Sequence, residues 1–298
     1  MARLLPFFPA IFVFLWSTGF VGARYAMPHA EPFTFLSLRY ALALVILLPV
    51  AGFAWARARA EVSAPALAHA AFAGSLIHGV YLGGVFFAVR HGLPAGIAAL
   101  VAGLQPLLTA LMASSLVGER VVARHWLGLA VGLLGVALVV APKLGAAGGF
   151  TFGQLAPALL AVLAISLGTV WQKRFVGTLD LRVGTAVQYV GALVPTFMAA
   201  YAFETMRVEW TGELVFALLW LTVMLSIGAV FLLLYLIRQG AVSKVASLMY
   251  LVPAVTAILA FLLFGEALAP VQLLGMALAA GGVAAATGAL RFGRGVRS

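Results

Sequence analysis

Stretches of about 20 apolar residues recur along the whole chain, separated by charged residues, Pro and Gly. About 20 residues is the length that a helix needs to cross a hydrocarbon core of about 30 Å. The pattern predicts an all-α integral membrane protein with ten transmembrane helices. The predicted spans cover residues 6–22, 33–54, 66–88, 95–117, 125–141, 151–171, 183–203, 214–236, 243–264 and 270–290. The connections are short, which favours antiparallel neighbours in a compact bundle.

Composition excludes a soluble domain. Of the 298 residues, 64% are hydrophobic and 9% are charged, whereas soluble domains have about 25% charged residues. Cysteine is absent, which excludes disulfides, zinc–thiolate sites and redox thiols. A net charge of +10 could indicate nucleic-acid binding, but the basic residues stand at the predicted helix ends. They are better interpreted as topology signals.

The Lys and Arg residues predict that both termini are cytoplasmic. With the N-terminus inside, 13 of the 18 basic residues fall on the inner side, four fall outside, and Arg39 lies within a span. This is the positive-inside bias of membrane proteins. The first 23 residues also have the charge and apolarity of a signal peptide. The repeat described next favours a retained first helix, because that helix has a counterpart in mid-chain.

An internal repeat relates the two halves of the chain. Five residues recur 147 positions later: Pro106 as Pro253, Gly118 as Gly265, Glu119 as Glu266, Gly128 as Gly275 and Gly135 as Gly282. With small gaps, Ser17 matches Ser166, Tyr40 matches Tyr189, and Arg39 matches Gln188. The predicted domains are residues 1–143 and 144–298, each with five spans. An odd number of spans per half makes this an inverted repeat around a central cavity, typical of alternating-access transporters. The alternative is a duplication retained for stability alone.

Three segments carry a resemblance to a known family. They are residues 104–120, which run from Leu-Gln-Pro to Gly-Glu-Arg, residues 251–266, which run from Leu-Val-Pro to Gly-Glu, and the Leu-Trp-Ser-Thr-Gly-Phe stretch at 15–20. The chain resembles the drug/metabolite transporter superfamily, specifically its EamA-domain exporters and among them the YddG-like aromatic amino-acid group. The resemblance implies a cavity lined by the first, third and fourth helices of each half, and export of amino acids or related metabolites.

Polar side chains near the middle of a span are costly in lipid and therefore predict the cavity lining. The predicted substrate-binding residues are Trp16, Ser17, His78, Tyr81, Gln105, Thr109, Ser166, Ser226, Tyr235 and Tyr250. An imidazole, an amide and several aromatic rings suit a zwitterion with an apolar side chain. The alternative for His78 is a buried imidazole bonded to a neighbouring helix. For Trp16 and Tyr250 the alternative is core packing.

Pro, Arg and Gly residues within the predicted spans give three further predictions. Pro106 and Pro253 are predicted hinges, each at a mid-helix position where a backbone hydrogen bond is lost. Arg39 is expected to snorkel to the outer interface, with attraction of carboxylates as the alternative. The small-residue rows at 128–135 and 275–282 predict close helix packing, with each other or with a second copy.

Missing motifs narrow the function. No Asp or Glu falls near the middle of a predicted span, which weakens carboxylate-driven antiport, and no P-loop, His-Glu-x-x-His or Gly-x-Ser-x-Gly motif is present. We therefore predict a non-enzyme with no cofactor and no metal. Its expected partners are a small-molecule substrate and the lipid bilayer, without nucleic acid, and its expected state is a monomer or weak homodimer in a bacterial inner membrane. The alternatives are export of other metabolites or drugs, a lipid-modifying enzyme and a non-transporting membrane scaffold.

Overall fold

A computed structural model describes residues 7–58, 63–117, 123–141, 144, 149–176, 179–229, 232, 251–266 and 269–287. Throughout these ranges the regular structure is helical. Two isolated β-bridges, Ala30–Val208 and Leu144–Phe150, are the extended pairings found there. The prediction of an all-α protein is confirmed.

The helices follow the predicted apolar stretches. They are α1 (Phe8–Ala26), α2 (Pro32–Ala58), α3 (Ala64–Arg90), α4 in two parts (Ala95–Ala102 and Gln105–Val117), α5 (Ala123–Val140), α6 (Phe152–Phe175), α7 (Leu181–Phe203), α8 (Gly212–Ala229), α9 (Val252–Phe264) and α10 (Pro270–Thr287). Two of them contain π-helical segments, Ser75–Val80 in α3 and Trp220–Ala229 in α8.

The length and apolarity of the helices identify a membrane protein. Six described helical segments are long and apolar enough to cross a membrane, in α2, α3, α4, α6, α7 and α8. Shorter apolar helices are present at Trp126–Val140, Val252–Phe264 and Pro270–Gly282. Large apolar side chains such as Val45, Leu127 and Met198 are exposed on the outside of the bundle. Lipid can cover such side chains, whereas water would disfavour so many of them.

Polar side chains at four helix starts satisfy the free N–H groups there. Ser63 accepts a hydrogen bond from Ala66 N at the start of α3, and Thr211 accepts one from Leu214 N at the start of α8. At α6, Gln154 accepts the N–H of Thr151 at 2.5 Å. Asp180 accepts the N–H of Arg182 at 2.9 Å and so caps α7.

The Asp180 cap gives a pH prediction. The Arg182 side chain donates to the Asp180 carboxylate at 2.9 and 3.0 Å, and these bonds lower the pKa of Asp180 to about 2. In the unfolded chain an Asp protonates near pH 4. The stabilisation is therefore complete above about pH 4 and is lost as the pH falls towards 2. We expect Asp180→Asn to flatten the pH dependence of unfolding between pH 2 and 4. An unchanged pH profile would show that this cap does not titrate on unfolding.

The helix packing is arranged in related pairs. α5 packs on α10 and α2 packs on α7. Three further contacts each have a counterpart. The α3–α6 contact corresponds to α8–α1, the α4–α6 contact to α9–α1, and the α3–α7 contact to α8–α2. Exchanging each helix with the one five places later reproduces this set of contacts.

Glycines bring α5 and α10 into backbone contact, as the small-residue rows predict. A Cβ built on Gly135 would lie 2.4 Å from Ala279 N, and one on Gly275 would lie 2.6 Å from Gly135 O. Neither position has room for a side chain, because real Cβ atoms do not approach backbone so closely. The predicted close packing of these rows is confirmed, and of the two predicted partners the structure shows the other helix.

Side chains of the α1–α2 and α7–α8 connections hold one end of the bundle together. We call residues 27–34 and 204–213 the clasp. Glu204 accepts hydrogen bonds from Phe33 N (2.8 Å), Thr34 N (2.7 Å) and Thr34 Oγ1 (2.7 Å), so it caps α2 from another part of the chain. Glu31 reciprocally accepts Thr205 N at 2.8 Å. His29 lies 3.0 Å from a carboxylate oxygen of Glu213.

Candidate functional site

A pocket of about 670 Å³, including its opening, lies between α1, α2, α3, α6, α7 and α8. Most of its wall is apolar, as suits an apolar ligand group. The side chains with a polar atom that line it are Trp16, Arg39, His78, Tyr81, Tyr189 and Ser226. Of the predicted site residues, the structure thus brings Trp16, His78, Tyr81 and Ser226 together.

The two π-helical segments present polar residues to this pocket. His78 lies on the segment Ser75–Val80, and Ser226 lies on Trp220–Ala229. Ser226 Oγ donates to Leu221 O at 3.2 Å, and Tyr40 Oη donates to His78 O at 2.8 Å. A π-turn widens the helix and leaves carbonyls for other donors, which is why such turns frequently occur at functional sites.

His78 is held by aromatic rings from α2 and α7. Its imidazole is stacked on Tyr189, with ring centroids 4.6 Å apart, and Tyr40 contacts Tyr189 edge-on at 5.7 Å. Gln188 adjoins the same imidazole. The alternative prediction for His78 is a buried imidazole bonded to a neighbouring helix, and its contacts with Tyr189 and Gln188 on α7 agree with that alternative. The same ring also forms part of the pocket wall.

Arg39 does not snorkel to the interface, and that expectation is wrong. Its side chain is 3% exposed, and it donates from Nε and Nη2 to Ser226 Oγ at 3.3 and 3.1 Å. The guanidinium turns inward and bonds the Ser226 hydroxyl of α8 within the bundle. The sequence places Arg39 inside a span but does not indicate which way the side chain turns.

A smaller cavity of about 340 Å³ adjoins the first, and Trp16, Phe20 and Tyr81 line both. Its other lining residues include Gln105, Pro106 and Pro253. The break in α4 at Gly103–Leu104 borders this cavity, because Gly103 is one of its lining residues. Gly103 also lies against α9, since a Cβ built on it would be 3.1 Å from Pro253 Cγ. Gln105 donates from Nε2 to Thr169 Oγ1 at 3.4 Å.

The two prolines do not occupy helix middles as predicted. Pro106 is the second residue of the second part of α4. Pro253 is the second residue of α9, and Leu251 is the first described residue before that helix. A proline fits the first turn of a helix, because its missing N–H would have no helical partner there. The interruption of α4 is therefore the turn before Pro106. A hinge role for either proline stays a prediction.

The EamA-like transporter family matches residues 6–141 and, a second time, residues 154–288. The chain belongs to this family. Among the relatives of this EamA-like transporter is the "Uncharacterized inner membrane transporter YedA" of Escherichia coli K12, 27% identical over 92% of this chain and 88% of that protein. The "Probable amino-acid metabolite efflux pump" of Salmonella typhimurium is 24% identical over 95% and 94% of the two chains.

The fold of the EamA-like transporter also has a counterpart among solved structures. A protein of known crystal structure, 24% identical in sequence, superposes with a TM-score of 0.67. The superposition covers 95% of this chain and 96% of the other. This likeness shows that the two chains share a fold.

Two predicted site residues of the EamA-like transporter bond helices together. Ser17 and Ser166 are both 0% exposed. Ser17 Oγ lies 2.7 Å from Val13 O and 3.3 Å from Val252 O, and Ser166 Oγ lies 2.7 Å from Val162 O and 3.4 Å from Gln105 O. These matching bonds join α1 to α9 and α6 to α4. Helix contact therefore explains both serines without a ligand.

The remaining predicted residues lie elsewhere. Thr109 Oγ1 is buried with no hydrogen-bond partner in the described part of the chain, and Thr109 does not line either pocket described above. Tyr235 and Tyr250 lie outside the described residues.

Sequence reasoning missed Tyr189, and it set Arg39 aside. A signal for Tyr189 was present, because Arg39 and Tyr40 are repeated in order as Gln188 and Tyr189. The same repeat, at the 148-residue spacing that relates Arg90 to Arg238, relates His78 to Ser226. The contact of Arg39 with Ser226 in this EamA-like transporter thus has a repeat-related counterpart, the contact of Gln188 with His78.

Proposed function

We propose that this EamA-like transporter is a secondary carrier that exports amino acids with apolar or aromatic side chains by alternating access. The pocket that holds Trp16, Tyr81, His78 and Tyr189 is the observation that supports this most strongly. Apolar and aromatic walls suit the side chain of such a cargo, and a few polar groups at one side suit its charged groups. The expected location is a bacterial inner membrane with both termini in the cytoplasm.

The proposal includes ten spans in two inverted halves, residues 1–143 and 144–298. Two separate matches to one family model support a duplication. Three features support a pseudo-twofold relation between the halves. They are the helix contacts that are reproduced when each helix is exchanged with the one five places later, the two π-helical segments, and the matching bonds of Ser17 and Ser166. Residues of both proposed halves line the pocket, which supports the proposal because alternating-access carriers bind substrate between such halves.

Amino acids are proposed as cargo on two grounds. The Salmonella relative carries amino-acid metabolite efflux in its name. The pocket's described lining contains one Arg and no Lys, whereas phosphorylated cargo calls for several basic groups. If amino acids are not carried, the alternative is that this protein exports other small metabolites.

Transport of labelled amino acids into proteoliposomes tests the proposal. We expect saturable movement of phenylalanine or leucine above protein-free vesicles, measured with and without a pH gradient. His78→Ala should reduce the initial rate about tenfold or more, since it removes a pocket side chain and leaves a void beside Tyr189. His91→Ala is the matched control, because His91 lies at the exposed end of α3, its imidazole contacts the ring and carbonyl of Phe87, and it does not line the pocket.

The outcomes separate cargo from mechanism. If none of the labelled amino acids moves, the amino-acid assignment is wrong and other metabolites must be tested. If transport occurs and His78→Ala equals His91→Ala, the cargo is right but His78 is not part of the pathway. A rate that follows an imposed pH gradient would show proton coupling.

A further inference from the structure

Arg39 is a buried cation that no described carboxylate neutralises. The six described acidic residues have hydrogen-bond or ion-pair partners elsewhere: Glu31 with Thr205, Asp180 with Arg182, Glu204 with Phe33 and Thr34, Glu209 and Glu213 with His29, and Glu266 with Arg24. Glu61 and Glu119 lie outside the described residues.

An unpaired charge at this depth is costly. Removing an ion from water without a counter-ion or a full set of hydrogen bonds is strongly unfavourable. Arg39 donates from both Nε and Nη2 to one neutral acceptor, the hydroxyl oxygen of Ser226. A guanidinium has five N–H donors. The structure therefore holds a cation whose hydrogen-bonding capacity is only partly used.

The Arg39 guanidinium lies at the wall of the pocket, and the described lining across from it contains no other ionised side chain. The residue that matches Arg39 in the second half is neutral Gln188. The remaining described lining is apolar, aromatic or neutral polar, including Phe20, Phe86 and Leu225, and it contains no Asp or Glu. The sequence between Glu213 and Glu266 also contains none. The pocket thus offers a partner for a carboxylate and no ionised partner for an ammonium group.

We propose that Arg39 binds the carboxylate of the cargo, and that the site does not require an α-amino group. The cargo class is then monocarboxylates that carry an apolar or aromatic group, of which amino acids are one subset. This inference rests on the proposed function for the place of binding. A carboxylate would replace Ser226 as the acceptor of the guanidinium and form the stronger, charge-assisted pair.

Three probes that differ in one group test the inference. They are phenylalanine, 3-phenylpropionate, which lacks the amino group, and 2-phenylethylamine, which lacks the carboxylate. Binding is measured on the purified full-length protein as a ligand-induced rise in melting temperature and by titration. We expect 3-phenylpropionate to bind at least as tightly as phenylalanine and 2-phenylethylamine to bind at least tenfold more weakly.

Variants then assign the effect to Arg39. Arg39→Gln introduces the residue that the repeat places at 188, and it should weaken 3-phenylpropionate binding at least tenfold. Arg24→Gln is the matched control, since Arg24 lies at the end of α1 beside Glu266, away from the pocket, and should bind like the parent.

The ranking of the three probes on the parent protein decides the question even if a variant fails to fold. Equal binding of the amine and the carboxylate would overturn the inference, as would undiminished carboxylate binding by a folded Arg39→Gln protein. If 3-phenylpropionate binds in the expected order but no amino acid is transported in proteoliposomes, the amino-acid assignment fails while the carboxylate site stands. If phenylalanine is transported and the amine competes as well as 3-phenylpropionate, the transport assignment stands and the carboxylate site fails.

Discussion

Gly282→Val is expected to destabilise the protein by about 3 kcal/mol, the upper range of overpacking substitutions. A Cβ at this position would lie 2.7 Å from Gly132 N and 2.9 Å from Gly128 O on α5. Both contacts are backbone, so neither can move aside without separating the two helices. The measurement is SDS-induced unfolding of the purified protein, followed by tryptophan fluorescence.

Gly281→Val is the control, since it makes the same change one residue earlier on the same helix. A Cβ on Gly281 meets no atom within 4 Å, so we expect a change within about 0.5 kcal/mol, set by helix propensity alone. Similar destabilisation by both substitutions would mean that propensity or lipid contact, not the α5–α10 backbone approach, determines the effect.

The helices could be predicted from the sequence because a membrane imposes one simple rule. Each span must be apolar and must satisfy its own backbone, so apolar runs and helices coincide. The contact of α5 with α10 was also predictable, since the small residues that permit it recur at a helical spacing. The break in α4 was not, because Pro106 alone does not show whether the helix bends at the proline or ends before it.

The site was predictable only in part, because a polar residue at midspan has two ways to satisfy its hydrogen bonds. Ser17 reaches the carbonyl of Val13 one turn away, and this local bond removes any need for a ligand. His78 lies on a π-turn, which apolar patterning does not reveal. Arg39 faces the pocket because Ser226 lies within reach on α8, and that contact depends on tertiary packing between segments 187 residues apart.

Glu204→Gln is expected to destabilise the clasp end of the bundle by about 2 kcal/mol, as expected for hydrogen bonds to a charged group. The Glu204 carboxylate accepts three hydrogen bonds, from two backbone N–H groups and the Thr34 hydroxyl. In the amide, one oxygen becomes an NH₂ group that faces these donors and cannot accept from them. The lost negative charge also removes a favourable interaction with the N-terminus of α2.

Glu209→Gln is the matched control in the same connection. The Glu209 side chain is 76% exposed and 3.7 Å from His29 Nδ1, and such a surface pair contributes little. We expect its unfolding free energy to stay within about 0.5 kcal/mol of the parent.

The same pair of variants tests whether the clasp is one of the two gates of alternating access. The chain has no native cysteine, so a cysteine introduced at Val85, which lines the pocket, is the only thiol available to an impermeant reagent. If the clasp closes the pocket from its side of the membrane, Glu204→Gln should speed labelling of Val85→Cys from that side several-fold. Glu209→Gln should leave the labelling rate unchanged. Equal labelling in both variants, despite a measured loss of stability in Glu204→Gln, would make the clasp a structural cap for α2 and place the gate elsewhere.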